Sequence, residues 1–215
     1  MARSFLLLLT LPTLCACNFQ PRDMGQPQQV AKDRAGNTYT FGDIDQVQGT
    51  RFFTIPILRT NEDRAEGTFS SSYRGDDERN RLIIDSATGA SRRVLPNQNL
   101  QIVNWFEPTT KPENGKIIPD DQTEAAQGGI AMGLYAAVVK RLSKSDKDPA
   151  SYDVLLGRFQ NGQQAWIATG LSGVESLWIT PDHKLAMVAA TNTGGVYRVY
   201  DVSTFKQQLE TKLPL

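Results

Sequence analysis

The chain reads as an all-β protein of antiparallel sheets. Three observations predict that class. Apolar and polar residues alternate over short runs rich in Val, Ile, Tyr, Phe and Trp. Clusters of Gly, Pro, Asn and Asp punctuate those runs at short intervals, as turns do. Helical spacing of apolar residues is convincing almost nowhere.

The first element is a leader. Arg3 carries one positive charge, Phe5 to Leu14 is apolar, and Leu14-Cys15-Ala16-Cys17 closes the run. That order of parts reads as a secretory signal, too short to span a bilayer as a helix. Its end resembles the lipobox of bacterial lipoproteins, Leu-x-Ala-Cys. The resemblance implies cleavage after residue 16 and acylation of Cys17, the lipidation site, as by palmitate. Residues 17–36 follow, rich in Gln, Pro and Asp. Such composition buries too little apolar surface to offset the entropy of ordering, so a flexible tether is expected there. A single all-β domain is expected over 37–215.

The strands of that domain follow from their residues. Arg51–Arg59 is strand-like, with Pro56 indicating an edge or a bulge. Gly67–Tyr73 alternates large and small side chains. Arg81–Asp85 and Ser91–Leu95 are joined through Gly89, which marks a hairpin. Leu100–Phe106 is a further strand. Glu107 to Gln127, with its Pro, Asn, Gly and paired acids, reads as a long polar loop. Ala131–Leu142, Tyr152–Phe159 and Gln163–Thr169 are successive strands, with Asn161-Gly162 the strongest hairpin signal of the chain. Ser176–Ile179, Leu185–Thr191 and Val196–Asp201 complete the pattern. Phe205–Leu213 fits a short helix and a last strand equally.

A repeat runs beneath these strands. Leu82-Ile-Ile-Asp-Ser-Ala-Thr-Gly with Arg92-Arg-Val-Leu, Val154-Leu-Leu-Gly-Arg-Phe-Gln-Asn-Gly with Ala165-Trp-Ile, and Tyr197-Arg-Val-Tyr-Asp-Val-Ser-Thr with Gln207-Gln-Leu share one plan. Each resembles the outer hairpin of a β-propeller blade. Trp178-Ile-Thr-Pro-Asp-His-Lys-Leu-Ala-Met-Val is similar to the inner part of blades in WD-repeat and TolB-like propellers. There a Ser/Thr-Pro-Asp-Gly-Lys turn joins two strands, and here His183 stands in place of the glycine. Propeller repeats run at about 40–45 residues. The first interval is wider, as if one blade carried the 107–127 loop. Three blades do not close a ring of about four to eight. The resemblance therefore implies a short or partial propeller, with a fourth blade from residues 37–60 and the C-terminus. An open β-meander or sandwich is the alternative.

Lys+Arg and Asp+Glu balance at 23 each, and loss of Arg3 tips the mature chain one unit negative. This balance argues against the basic footprint of a nucleic-acid partner and against a polybasic attachment to a membrane surface. Membrane contact is expected only through the lipid on Cys17. The two cysteines, Cys15 and Cys17, are too close to staple a fold.

Catalytic supply is poor. His183 is the sole histidine and sits in a polar turn, where a solvated side chain is expected. No Gly-x-Ser-x-Gly elbow occurs, since Gly170-Leu-Ser-Gly173 is not one. No catalytic residue, metal ligand or cofactor is assigned. The acidic clusters Gly75-Asp-Asp-Glu78, Pro119-Asp-Asp121 and Ser145-Asp-Lys-Asp148 offer oxygens to calcium but lack the spacing of an EF-hand. Trp105, beside the 107–127 loop, is the residue expected to touch a partner. The expectation is a non-catalytic protein of the bacterial cell envelope, facing the periplasm from the inner or outer membrane. Its partner would be an envelope protein or the cell-wall polymer. The alternatives are an envelope hydrolase acting on glycan or peptide, and a periplasmic ligand or calcium sensor.

Overall fold

Alternation along short runs yields strands throughout, as the computed structural model shows for residues 29–32, 36–60, 77–97, 99–113, 116–119, 130–143 and 148–214. No helix occurs among the described residues. The leader, Cys17 and the run Gly67–Tyr73 lie outside them.

The N-terminal sheet contains β1 (Gln29–Lys32), β2 (Thr38–Phe41), β3 (Asp45–Gln46), β4 (Phe52–Thr60), β5 (Asp77–Asp85) and β6 (Ser91–Arg93). Its order is β1-β2-β4-β5-β6, all antiparallel, with β3 also on β4. Strand β1 lies inside the stretch expected as tether. Polar Gln29 and Lys32 gain a ladder on β2 that no apolar pattern announces. Pro56 occupies the middle of β4, opposite the gap between β2 and β3. Its missing N–H costs no ladder bond there. The chain crosses this gap at Gly42, whose N–H donates to the Pro56 carbonyl at 2.9 Å. A Cβ on Gly42 would stand 2.6 Å from the Pro56 ring, so the crossing needs glycine.

The middle sheet starts with β7 (Leu100–Phe106). A small sheet then interrupts it: β8 (Thr109–Glu113), β9 (Lys116–Pro119) and β10 (Ile130–Ala131), in the order β10-β8-β9. Part of the expected polar loop is therefore strand. Thr109, Thr110, Ile117 and Ile118 are β-branched and favour the pleat, and Pro112 lies beyond the two residues that β10 pairs. The middle sheet resumes with β11 (Leu134–Arg141), β12 (Ser151–Arg158) and β13 (Gln164–Leu171), in the order β7-β11-β12-β13.

The C-terminal sheet is a plain meander of β14 (Gly173–Ile179), β15 (Lys184–Thr191), β16 (Gly194–Asp201) and β17 (Gln207–Lys212). The ambiguous last segment is thus a strand, paired to β16.

Three meanders stack face to face, with the middle one covered on both sides. Alternation along β11 decides which side chain goes where. Tyr135, Ala137 and Val139 join Phe52, Ile83, Val94 and Leu95 of the N-terminal sheet in one core. Leu134 and Ala136 join Ile179, Leu185, Met187 and Val196 of the C-terminal sheet in the other. Strands buried on both faces read as continuous apolar runs, which is why Leu134–Val139 lacks alternation. Residues 37–60 belong to the N-terminal sheet and β17 pairs only with β16. The fourth blade expected from those two segments is absent among the described residues, because β4 spends its free edge on β5.

The three outer hairpins share one turn. In each, the N–H of the first turn residue donates to a carbonyl five residues on: Asp85 to Ala90 at 2.9 Å, Arg158 to Gln163 at 2.8 Å, Asp201 to Lys206 at 2.9 Å. The fourth residue after each is left-handed: Gly89 (φ 69°), Gly162 (φ 69°) and Phe205 (φ 60°). The repeat seen in sequence is therefore a repeat of backbone geometry.

Candidate functional site

Two places hold polar side chains in unusual settings, one on each face of the middle sheet. The first is a stack between the N-terminal and middle sheets. The guanidinium of Arg81 lies 4.6 Å from the centroid of the Trp105 ring, and Tyr135 stacks on that ring at 4.8 Å. Arg81 is held by a two-bonded pair to Glu78, at 2.8 and 3.0 Å. It also donates to Thr54 Oγ1 at 3.3 Å. Trp105 Nε1 donates to Glu107 Oε1 at 2.6 Å. The Tyr135 hydroxyl donates to Gln164 Oε1 at 2.9 Å and accepts from Arg92 at 3.3 Å. A Cβ on Gly157 would overlap the Tyr135 ring, so glycine makes room for the stack.

Burial pushes the Glu107 carboxyl up from its ordinary value. The Trp105 indole bond and the nearby Arg81 charge act the other way, and Asp45 adds to the rise. Burial likewise raises the Tyr135 hydroxyl. Trp105, half-buried between Arg81 of the N-terminal sheet and Tyr135 of the middle sheet, joins the two sheets.

The second place is a cleft of about 490 Å³ on the opposite face. It lies where the apolar core between the middle and C-terminal sheets stops. Strand β7 supplies Gln101, Val103 and Asn104, β11 supplies Val138 and Lys140, and β12 supplies Tyr152. The other wall is Ser172 to Glu175, at the start of β14. β7 and β14 are edge strands of their sheets, and each carries a bulge at the cleft. The β7–β11 register passes from Ile102 to Asn104 and leaves Val103 unpaired, 45% exposed. The β14–β15 register passes from Val174 to Ser176 and leaves Glu175 unpaired. Bulges re-aim side chains and recur beside binding sites.

The cleft's polar groups are unengaged. Among the described residues the side chains of Gln101, Asn104, Lys140, Tyr152 and Glu175 form no hydrogen bond or ion pair; Ser172 donates to Asn192 Oδ1 at 2.9 Å. Asp153, buried on the other face of β12, accepts from Arg141 at 2.6 Å and from the Gly170 N–H at 2.9 Å.

His183 sits exposed in the β14–β15 turn with φ 58°. Of the acidic clusters, Asp77 and Glu78 are paired with Arg79 and Arg81. Asp148 accepts from Ser143. No group of three or more His, Cys, Asp or Glu converges among the described residues. Alternation could not reveal the cleft, because its residues come from four strands and two bulges break the period.

Neither a protein-family model nor a curated protein matches the chain. It is similar in structure to the β-propeller domain of the Trilobed protease from Pyrococcus furiosus, described as having an open velcro topology. The TM-score is 0.40 and the identity 11%, over 82% of this chain and 43% of that one. The chain spans less than half of that structure. The fold is defined by its own antiparallel sheets.

Proposed function

We propose that the chain is a lipid-anchored, non-catalytic protein of the bacterial cell envelope, whose β-domain binds an envelope partner or the cell-wall polymer through the β7–β14 cleft. The observation that carries this reading is the set of unengaged polar side chains lining one cleft between two bulged edge strands. Unengaged groups in a concave surface are what a ligand uses for orientation. The lipobox Leu14-Cys15-Ala16-Cys17 supports the anchor.

The hydrolase reading asks for a raised carboxyl inside a pocket. The raised carboxyl of Glu107 lies on the face of the middle sheet turned away from the cleft, bonded to an indole. That separation favours binding over turnover. A Cys17→Ser variant should leave the membrane fraction while the parent stays in it. Purified wall sacculi should sediment the detergent-solubilised parent, and Val103→Arg, which fills the cleft mouth, should abolish this. Sedimentation indifferent to Val103→Arg, or steady release of wall fragments, would overturn the reading.

A further inference from the structure

We infer that the cleft between β7 and β14 takes a short peptide carrying both a free ammonium and a free carboxylate; this rests on the cleft being the binding site proposed above. Two opposite charges line this cleft. Lys140 projects from the middle-sheet wall and Glu175 from the edge of the C-terminal sheet, and both line one cleft. Neither has an ion pair, with each other or with another described residue. Opposite charges that share a cleft without meeting are complementary to a ligand with both signs held apart. The carboxylate belongs at Lys140 and the ammonium at Glu175.

The groups beside them narrow the class. Gln101 and Asn104 each present a carbonyl acceptor and an amide donor, matching the donor and acceptor of a peptide unit. Val103, Val138 and Val174 supply small apolar contacts suited to short side chains. A volume of about 490 Å³ exceeds what a single amino acid fills and lies within the usual range of ligand clefts. The bulges at Val103 and Glu175 interrupt the regular backbone ladder at both edges, so a long strand does not add there. Recognition therefore runs through side chains and suits a short ligand. Tyr152 is the one aromatic lining the cleft, which gives a sugar chain little ring surface to stack on.

The test is calorimetric titration of the detergent-solubilised full chain with tetraalanine, free at both ends. Acetylating its amine should weaken binding about three- to tenfold, as should Glu175→Gln, and the two together should cost no more than either alone. Amidating its carboxyl should pair with Lys140→Gln in the same way. Displacement of tetraalanine by wall muropeptides or by an envelope protein's tail supports the class in either case and tells the two sources apart. Equal binding of the doubly blocked peptide would overturn the inference. So would binding of tri-N-acetylglucosamine with none of tetraalanine. In both cases the cleft reading survives if Val103→Arg still abolishes sedimentation with sacculi. If Val103→Arg changes neither measurement, both readings fall.

Discussion

Left-handed backbone at a residue other than glycine costs about 1 kcal/mol, and two of the described residues bear it. Phe205 and His183 have φ of 60° and 58°. Their reasons differ. Phe205 holds the place that Gly89 and Gly162 hold in the sister turns, yet its ring is buried, and the Arg158 guanidinium lies 5.5 Å from its centroid. The ring's burial outweighs the backbone cost. Phe205→Gly should therefore destabilise the fold by about 2–4 kcal/mol, the loss of a buried aromatic less the strain relieved. His183 is exposed, with no side-chain partner among the described residues, so nothing offsets its strain. His183→Gly should stabilise by about 0.5–1 kcal/mol, with a melting temperature higher by about 2–4 °C. Thermal unfolding of both variants checks the pair, and a fall in stability for His183→Gly would show that the imidazole has an unseen role. The turn motif Thr180-Pro-Asp-His-Lys184 was legible as a departure from glycine. That Phe205 made the same departure was not, because only the backbone shows the two turns to be equivalent.

At the scale of elements, β7 joins two environments. Its Trp105 side faces the N-terminal sheet and leads to Glu107, while Gln101 and Asn104 open on the cleft. Glu107 sets a pH dependence whose sign follows from its raised carboxyl. The folded state favours the protonated form more than the unfolded state does. The stability contributed by this group is therefore complete below the ordinary value of 4.5 and is lost as pH rises through the raised folded value. Glu107→Gln keeps an acceptor for the Trp105 indole and removes the buried charge. Its stability relative to the parent should grow from about pH 4 to about pH 7 in denaturant titrations. A constant difference would show that Glu107 is solvated. The exposed Asp201 has the opposite sign: bonds from Ser203 and Thr204 lower it to about 2, so the last hairpin loosens only in strong acid.

Elements with strong alternation or turn chemistry were readable, such as β7, β12 with its Asn161-Gly162 turn, and the β5–β6 hairpin. Those whose strand character depends on a neighbour were not. Gln29–Lys32 and Thr109–Glu113 have polar or proline-bearing sequences that pair only because β2 and β9 stand beside them.

For the whole molecule the middle sheet governs stability. Its strands β11 and β12 are buried on both faces, while all six residues of β17 are exposed. Hydrogen exchange should be slowest for the amides of β11 and β12 and fastest, within the sheets, for β17. Uniform protection across the three sheets would contradict this ordering. The class of fold was legible from alternation and turns, and the stacking was hinted only by the unbroken apolar run Leu134–Val139. The cleft depends on where two sheets part, which no local pattern encodes.

Covering the N-terminal sheet by strands later in the chain has a consequence for synthesis. Phe52 and Ile83 pack against Tyr135, Ala137 and Leu155, and the small sheet intervenes before any of these is made. A growing chain therefore carries its first sheet with one face covered only in part, by β7, until Arg158 has emerged. Such long-range closure is slow and leaves apolar surface open to aggregation. For this protein, the interval between those two moments is when a holding chaperone has something to grip.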